Sequence, residues 1–174
     1  MEINALIRKS SGDYATAVSI WKAVSATKTQ FAEETLAMFK GKIYELVKSK
    51  LSDTSVKYDD DGYWQYLDFR IGNGCRLSIN YHMRWFMIDM DPDNPRHPAP
   101  EIVDKISRAM ESLTGERHDN YKHAIWNTAA AKYPDLRDTE NEDVYMYELH
   151  RIYSEKPESV AEYIVSWVEK LKSV

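Results

Sequence analysis

The sequence predicts an α+β fold. Apolar residues recur at helical spacing up to about residue 51, alternate within three runs between Trp64 and Met90, and return to helical spacing after residue 100. Four of the six prolines, Pro92, Pro95, Pro98 and Pro100, fall in one nine-residue window, and none precedes it. Proline lacks an N–H and fixes φ, so that window is neither helix interior nor central strand. The expected organisation is one domain: 1–91 a helix plus β-meander half, 92–100 a proline-rich connector, and 101–174 a helical half.

Asp13 follows the Ser10-Ser11-Gly12 break as a helix N-cap, and Val18, Trp21 and Val24 continue at helical spacing. Thr27 with Gln30 three residues on reads as a capping box opening a second helix. Its stripe is Leu36, Phe39, Ile43, Leu46, Val47 and Leu51, with lysines on the other side, and Ser52–Ser55 ends it. Asp59-Asp60-Asp61-Gly62 is the expected turn into the sheet.

In the first strand Leu67, Phe69 and Ile71 share one face, and Trp64, Tyr66, Asp68 and Arg70 the other. Gly72-Asn73-Gly74 supplies the positive-φ residues of a tight hairpin. Leu77, Ile79, Tyr81 and Met83 then alternate with Arg76, Ser78, Asn80, His82 and Arg84. The phase breaks at Arg84-Trp85, a turn or bulge, and Phe86, Ile88 and Met90 form a third strand. The result is a three-stranded antiparallel meander with one apolar face, packed on Phe39, Ile43 and Leu46.

Pro100 opens a helix carrying Ile102, Ile106, Met110 and Leu113, ended by Gly115. A further helix holds Tyr121, Ile125, Trp126 and Ala129 and stops at Tyr133-Pro134. Thr139 and Glu142 form a capping box before Tyr145, Leu149 and Ile152. The last helix starts at Pro157 and carries Val160, Ile164, Trp167, Val168 and Leu171.

Charge divides unevenly along the chain. Residues 1–52 hold 8 Lys/Arg against 5 Asp/Glu, and the remainder 15 against 23. The acidic second part argues against general nucleic-acid binding, which needs clustered cations to neutralise phosphate. A local contact with nucleic acid through the basic part stays open. The single cysteine, Cys75, cannot form an intrachain disulfide, and no run approaches ~18 apolar residues, so the expected setting is cytoplasmic with no membrane partner. No signal-peptide pattern opens the sequence.

No GxSxG, HExxH, P-loop or GxGxxG motif occurs. Asp89-Met90-Asp91-Pro92-Asp93-Asn94 opens like a calcium loop, but Asn94 stands where glycine is needed and Pro100 where the bidentate glutamate belongs. Asp89 and Asp91 therefore stay only as weak metal candidates. His118 and His123 are five apart, which does not place two ligands on one helix face. The acidic run from Asp135 to Glu148 reads as the start of a helix, where the dipole favours negative charge.

The candidate binding surface is the polar sheet face. Trp64, Tyr66, Arg70, Arg76, Asn80, His82 and Arg84 combine aromatics with arginines, the composition of interaction hot spots and of single-strand stacking platforms. The competing reading is that C-terminal helices cover this face.

The order of long helix, meander, proline break and terminal helices resembles uncharacterised bacterial and phage proteins related to PD-(D/E)XK nucleases. That resemblance implies an acid followed by acid-x-Lys holding Mg²⁺. The nearest match is Asp61 with Asp68-Phe69-Arg70, where an arginine, a poor base, replaces the lysine. A catalytically silent member or an accessory part is what the resemblance implies here. The sequence therefore leads to the expectation of a non-enzymatic protein–protein interaction module of inhibitor, immunity or adaptor type, without a cofactor. The alternatives are a nuclease-fold relative acting on nucleic acid and a small metal-assisted hydrolase.

Overall fold

A computed structural model describes residues 11–60, 65–91, 98–114, 126–128 and 133–174. The elements are α1 (Ser11–Met38), a π-helical turn (Phe39–Ile43), α2 (Tyr44–Lys50), β1 (Val56–Asp60), β2 (Gln65–Gly72), β3 (Cys75–Asn80), β4 (Phe86–Met90), α3 (Pro100–Thr114), β5 (Trp126–Thr128), a 3-10 turn (Pro134–Leu136), α4 (Glu142–Glu155) and α5 (Pro157–Lys172). The fold is α+β.

The sheet is antiparallel with order β1-β2-β3-β4-β5. The expected three-stranded meander is β2, β3 and β4, and a strand is added at each edge. Asp59 and Asp60 belong to β1 rather than to a turn, because Val56 and Tyr58 alternate with Lys57 and Asp59 and pair with β2 from Val56↔Phe69 to Asp60↔Gln65. β5 lies where a helix was expected: Phe86↔Thr128 and Ile88↔Trp126 complete the open edge of β4, and ladder bonds override local helical preference. Tyr121, Ile125 and Ala129 of that expected helix lie outside the described residues.

Gly72, Asn73 and Gly74 all have positive φ, as the β2–β3 turn demands. Leu67, Phe69, Ile71, Leu77, Ile79, Phe86 and Ile88 are all buried on the helix-facing side, in one core with Phe39, Ile43 and Val47. Leu46, expected in that core, packs at its margin. α5 lies on β2 and α2, and its Trp167 ring sits edge-on to Phe86 at 4.5 Å. α3 packs on α5, as the stripe of Ile106 and Met110 requires.

α1 runs without a break through Thr27. Thr27 Oγ1 donates to Ala23 O (2.9 Å), and a hydroxyl bonded back within its helix cannot cap a new one. The π turn follows from the sequence spacing. Phe39, Ile43, Val47 and Leu51 are four apart, and four residues overshoot a 3.6-residue turn by roughly 40° each time. A wider turn at Phe39–Ile43 absorbs that drift, and Gly41 sits within it.

The cap of α4 is Asn141, not Thr139. Asn141 Oδ1 accepts from the N–H of Asp143 (3.0 Å) and Val144 (3.1 Å). Asp138 and Glu140 therefore precede the helix, and only Glu142 and Asp143 stand in its first turn. α4 runs parallel to α1, with contacts in step: Lys28–Asp143 (2.6 Å), Phe31–Tyr147, Glu34–His150 (2.8 Å) and Phe39–Tyr153.

Candidate functional site

The structure divides the seven candidate residues between two places, with Tyr66 on the face between them and Trp64 outside the described residues. Asn80, His82 and Arg84 belong to the β3–β4 turn. β3 ends at Asn80, so His82 lies in the turn and not on the strand face, and Met83 takes φ 53° there. Asn80 is buried, and its Oδ1 accepts from the N–H of Arg84 (3.2 Å) and Trp85 (3.1 Å). α4 clamps the same turn: Tyr145 Oη donates to His82 O (2.7 Å) and Tyr153 Oη to Tyr81 O (2.7 Å). The Arg84 guanidinium lies 3.7 Å over the Tyr145 ring and pairs with Glu142 at 3.0 Å.

Burial, with Arg84 close by, pushes the His82 imidazole down to about 4. Burial pushes the Tyr145 phenol up, and Arg84 offsets part of that rise. The turn is held by the Asn80, Tyr145 and Tyr153 hydrogen bonds, and His82 stands neutral within it.

Arg70 and Arg76 belong to the second place. They face each other across β2 and β3 on the polar side of the sheet and line a cavity of about 250 Å³ with Ser55, Lys57, Asp59, Asp68 and Asp91. Tyr58 and Phe69 also border it. Arg76 Nη1 reaches Asp68 Oδ2 at 3.0 Å, and Arg70 Nε reaches Asp91 Oδ2 at 3.0 Å. Asp68 is only 8% exposed, yet its Oδ1 has no hydrogen-bond partner. Burial raises the Asp68 pKa. Ser78, facing it on β3, and Arg76 pull it down, while the nearby Asp59 charge adds to the rise.

The polar sheet face is therefore neither wholly covered nor wholly open. Ser78 and Asn80 are buried at its centre, Tyr66 and Arg76 are half-buried, and Arg70 is exposed. Asp89 and Asp91 do not act together. Asp89 stands opposite Arg76 in the ladder and accepts from the N–H of Met90, whereas Asp91 is buried against Arg70. Among the described residues no three His, Cys, Asp or Glu side chains gather as metal ligands. Asp68 and Arg70, from the acid-x-base pattern, both line the cavity, each paired to another residue. Asp61 lies outside the described residues, as do His118 and His123.

Two features escaped the sequence. The first is β1, which brings Lys57 and Asp59 to the cavity; its alternation from Val56 to Asp59 was the available signal. The second is the outer half of α1. Trp21 and Val24, read only as helically spaced, are 68% and 47% exposed, alongside Tyr14 at 62% and Ile20 at 60%.

The chain matches no protein-family model, no curated protein and no solved structure. Among the described residues no helix is long and apolar enough to cross a membrane. Among the described residues, the α+β chain presents exposed apolar side chains on the outer half of α1 and a charged cavity on the sheet.

Proposed function

We propose that this chain is a protein–protein interaction module that docks its partner along the outer half of α1. The observation that carries the reading is the exposure of Tyr14, Ile20, Trp21 and Val24 on a helix that extends beyond the described residues it packs on. Tyr14, Trp21, Lys28 and Thr35 are spaced by seven and so share one face of α1. At Thr35 that face is buried, and at Lys28 it meets the first turn of α4. Beyond Lys28 the same face continues for roughly 25 Å, at 1.5 Å per residue.

Only Asp13, Lys22 and Lys28 are charged between Ser11 and Lys28. A helix this poor in charge gains little from water, and its four exposed apolar side chains present on the order of 500 Å², the scale at which an apolar patch marks an interface. Ala15, Ala17, Ser19, Ala23, Ser25 and Ala26 leave room for close approach by a second helix. The fitting partner is a protein that lays an apolar helix or groove along this face, with Trp21 as its anchor.

The test is site-specific photo-crosslinking from position 21 in the native host, alongside light scattering of the purified chain. A discrete protein cross-link, or a dimer, that disappears in the double variant Tyr14→Ser/Trp21→Glu supports the reading. That variant should keep its stability within about 0.5 kcal/mol, because the altered side chains are exposed. A monomer with no cross-link, or capture indifferent to the double change, refutes it.

A further inference from the structure

The exposed face of α1 continues a face that this chain already uses for packing one helix on another. Tyr14, Ala17, Trp21 and Val24 are spaced by three and four, the pattern of a two-helix seam, and Lys28, Phe31, Thr35 and Met38 carry it on. From Lys28 onward α4 occupies that seam. Asp143 meets Lys28 at 2.6 Å, Tyr147 meets Phe31, and Thr35 is buried. Before Lys28 the described residues leave Tyr14, Trp21 and Val24 exposed, with Ile20 on the flank. This stretch of seam carries no charge. Lys22, the only ionic side chain from Tyr14 to Val24, sits about 140–160° round the helix from Ala17 and Val24.

We infer that this stretch pairs with the same stretch of a second copy of the chain, the two α1 helices running antiparallel about a two-fold axis level with Ser19. The inference rests on the reading of α1 as a docking face and names its partner. Antiparallel pairing sets Trp21 against Ala17 of the second copy and Tyr14 against Val24, so each large ring meets a smaller side chain, as close packing demands. An uncharged seam also meets its own copy without like-charge repulsion. A parallel pair in register is blocked, because past Lys28 it drives the second α1 into the place that α4 fills. In the antiparallel pair Lys28, where α4 begins, falls level with residue 10 of the second copy, beyond the paired stretch. The two-fold axis buries both patches at once and leaves neither to propagate. Each copy contributes on the order of 500 Å² of apolar surface, and the sum of about 1,000 Å² is the lower limit for a specific interface. The dimer is therefore reversible and forms as concentration rises.

The experiment is sedimentation velocity of the full chain from about 1 μM to about 1 mM, the range in which an interface of this size associates, together with photo-crosslinking from position 21. A monomer–dimer equilibrium is expected, with the cross-link joining position 21 of one copy to the segment around Ala17 of the other. Trp21→Glu should raise the dissociation constant of the dimer about tenfold or more, since a central tryptophan anchors an interface. Ala17→Trp, which sets two large rings against each other, should weaken the dimer as well. Lys22→Glu, on the far side of the helix, should leave it unchanged. Urea midpoints close to that of the unaltered chain separate loss of the dimer from loss of the fold. A chain that stays monomeric and cross-links in the native host to a different protein overturns the second copy and keeps α1 as a docking face. A monomer that cross-links only within itself overturns both. A dimer indifferent to Trp21→Glu and Ala17→Trp, or one whose cross-link lands on position 21 of the second copy, overturns the antiparallel pairing.

Discussion

Replacing Asn80 with alanine tests whether the β3–β4 turn is a structural clamp or a recognition surface. Asn80 is buried, and its Oδ1 accepts two backbone N–H groups, from Arg84 and Trp85. Its own backbone closes the same turn: Asn80 N donates to Trp85 O (3.1 Å), and Met83 N donates to Asn80 O (2.9 Å). The alanine variant keeps those backbone bonds and orphans two donors. Each buried donor left unsatisfied costs about 1–3 kcal/mol. Trp85 is exposed, so its N–H regains water more easily and the total falls towards the lower part of the sum. The expected loss is about 2–4 kcal/mol, a drop in Tm of roughly 5–15 °C for a chain of this length. Equilibrium urea denaturation measures it, with an unchanged m-value as the sign that only the native state was affected. A loss below about 1 kcal/mol would refute the clamp. Normal stability combined with lost partner binding would return Asn80 to the recognition surface that the sequence composition implied.

Phe69 is fully buried at the centre of β2, so Phe69→Ala should cost about 3–5 kcal/mol in the same denaturation assay, and full stability would mean the sheet faces are assigned the wrong way round. His82 gives a pH signature. Its folded pKa of about 4 lies below the unfolded value, so its share of stability is full above about pH 6.5 and is lost as pH falls through the window down to about 4. The unfolded chain takes up the proton that the folded chain refuses, and the loss across that window is about 2–3 kcal/mol. His82→Gln should remove that share of the acid sensitivity, and parallel stability–pH curves for the two proteins would show that His82 is not held neutral.

Local pattern alone determined much of the fold. The alternation from Leu67 to Ile88 set both faces of the central strands, because side-chain direction in a strand has a period of two and burial enforces it. The Gly72-Asn73-Gly74 turn and the Pro157 start of α5 were equally legible, since positive φ and a missing N–H are properties of single residues. Of the candidate site, the sequence supplied Arg70, Arg76 and Asp68 as neighbours on one face. It could not supply β1 beside them, because pairing of Lys57 with Asp68 is a non-local choice of register.

Tertiary structure decided the rest. A stripe such as Tyr14, Val18, Trp21 and Val24 has the same spacing as a core stripe, and only the position of Asn141 at the start of α4 shows that nothing described lies opposite its outer half. Whether Thr27 or Thr139 caps a helix depended likewise on which backbone donors were free once the chain had packed. Sequence periodicity records which face of an element is apolar. Whether that face is core or interface depends on what the rest of the chain brings against it, and the described residues leave the outer half of α1 uncovered.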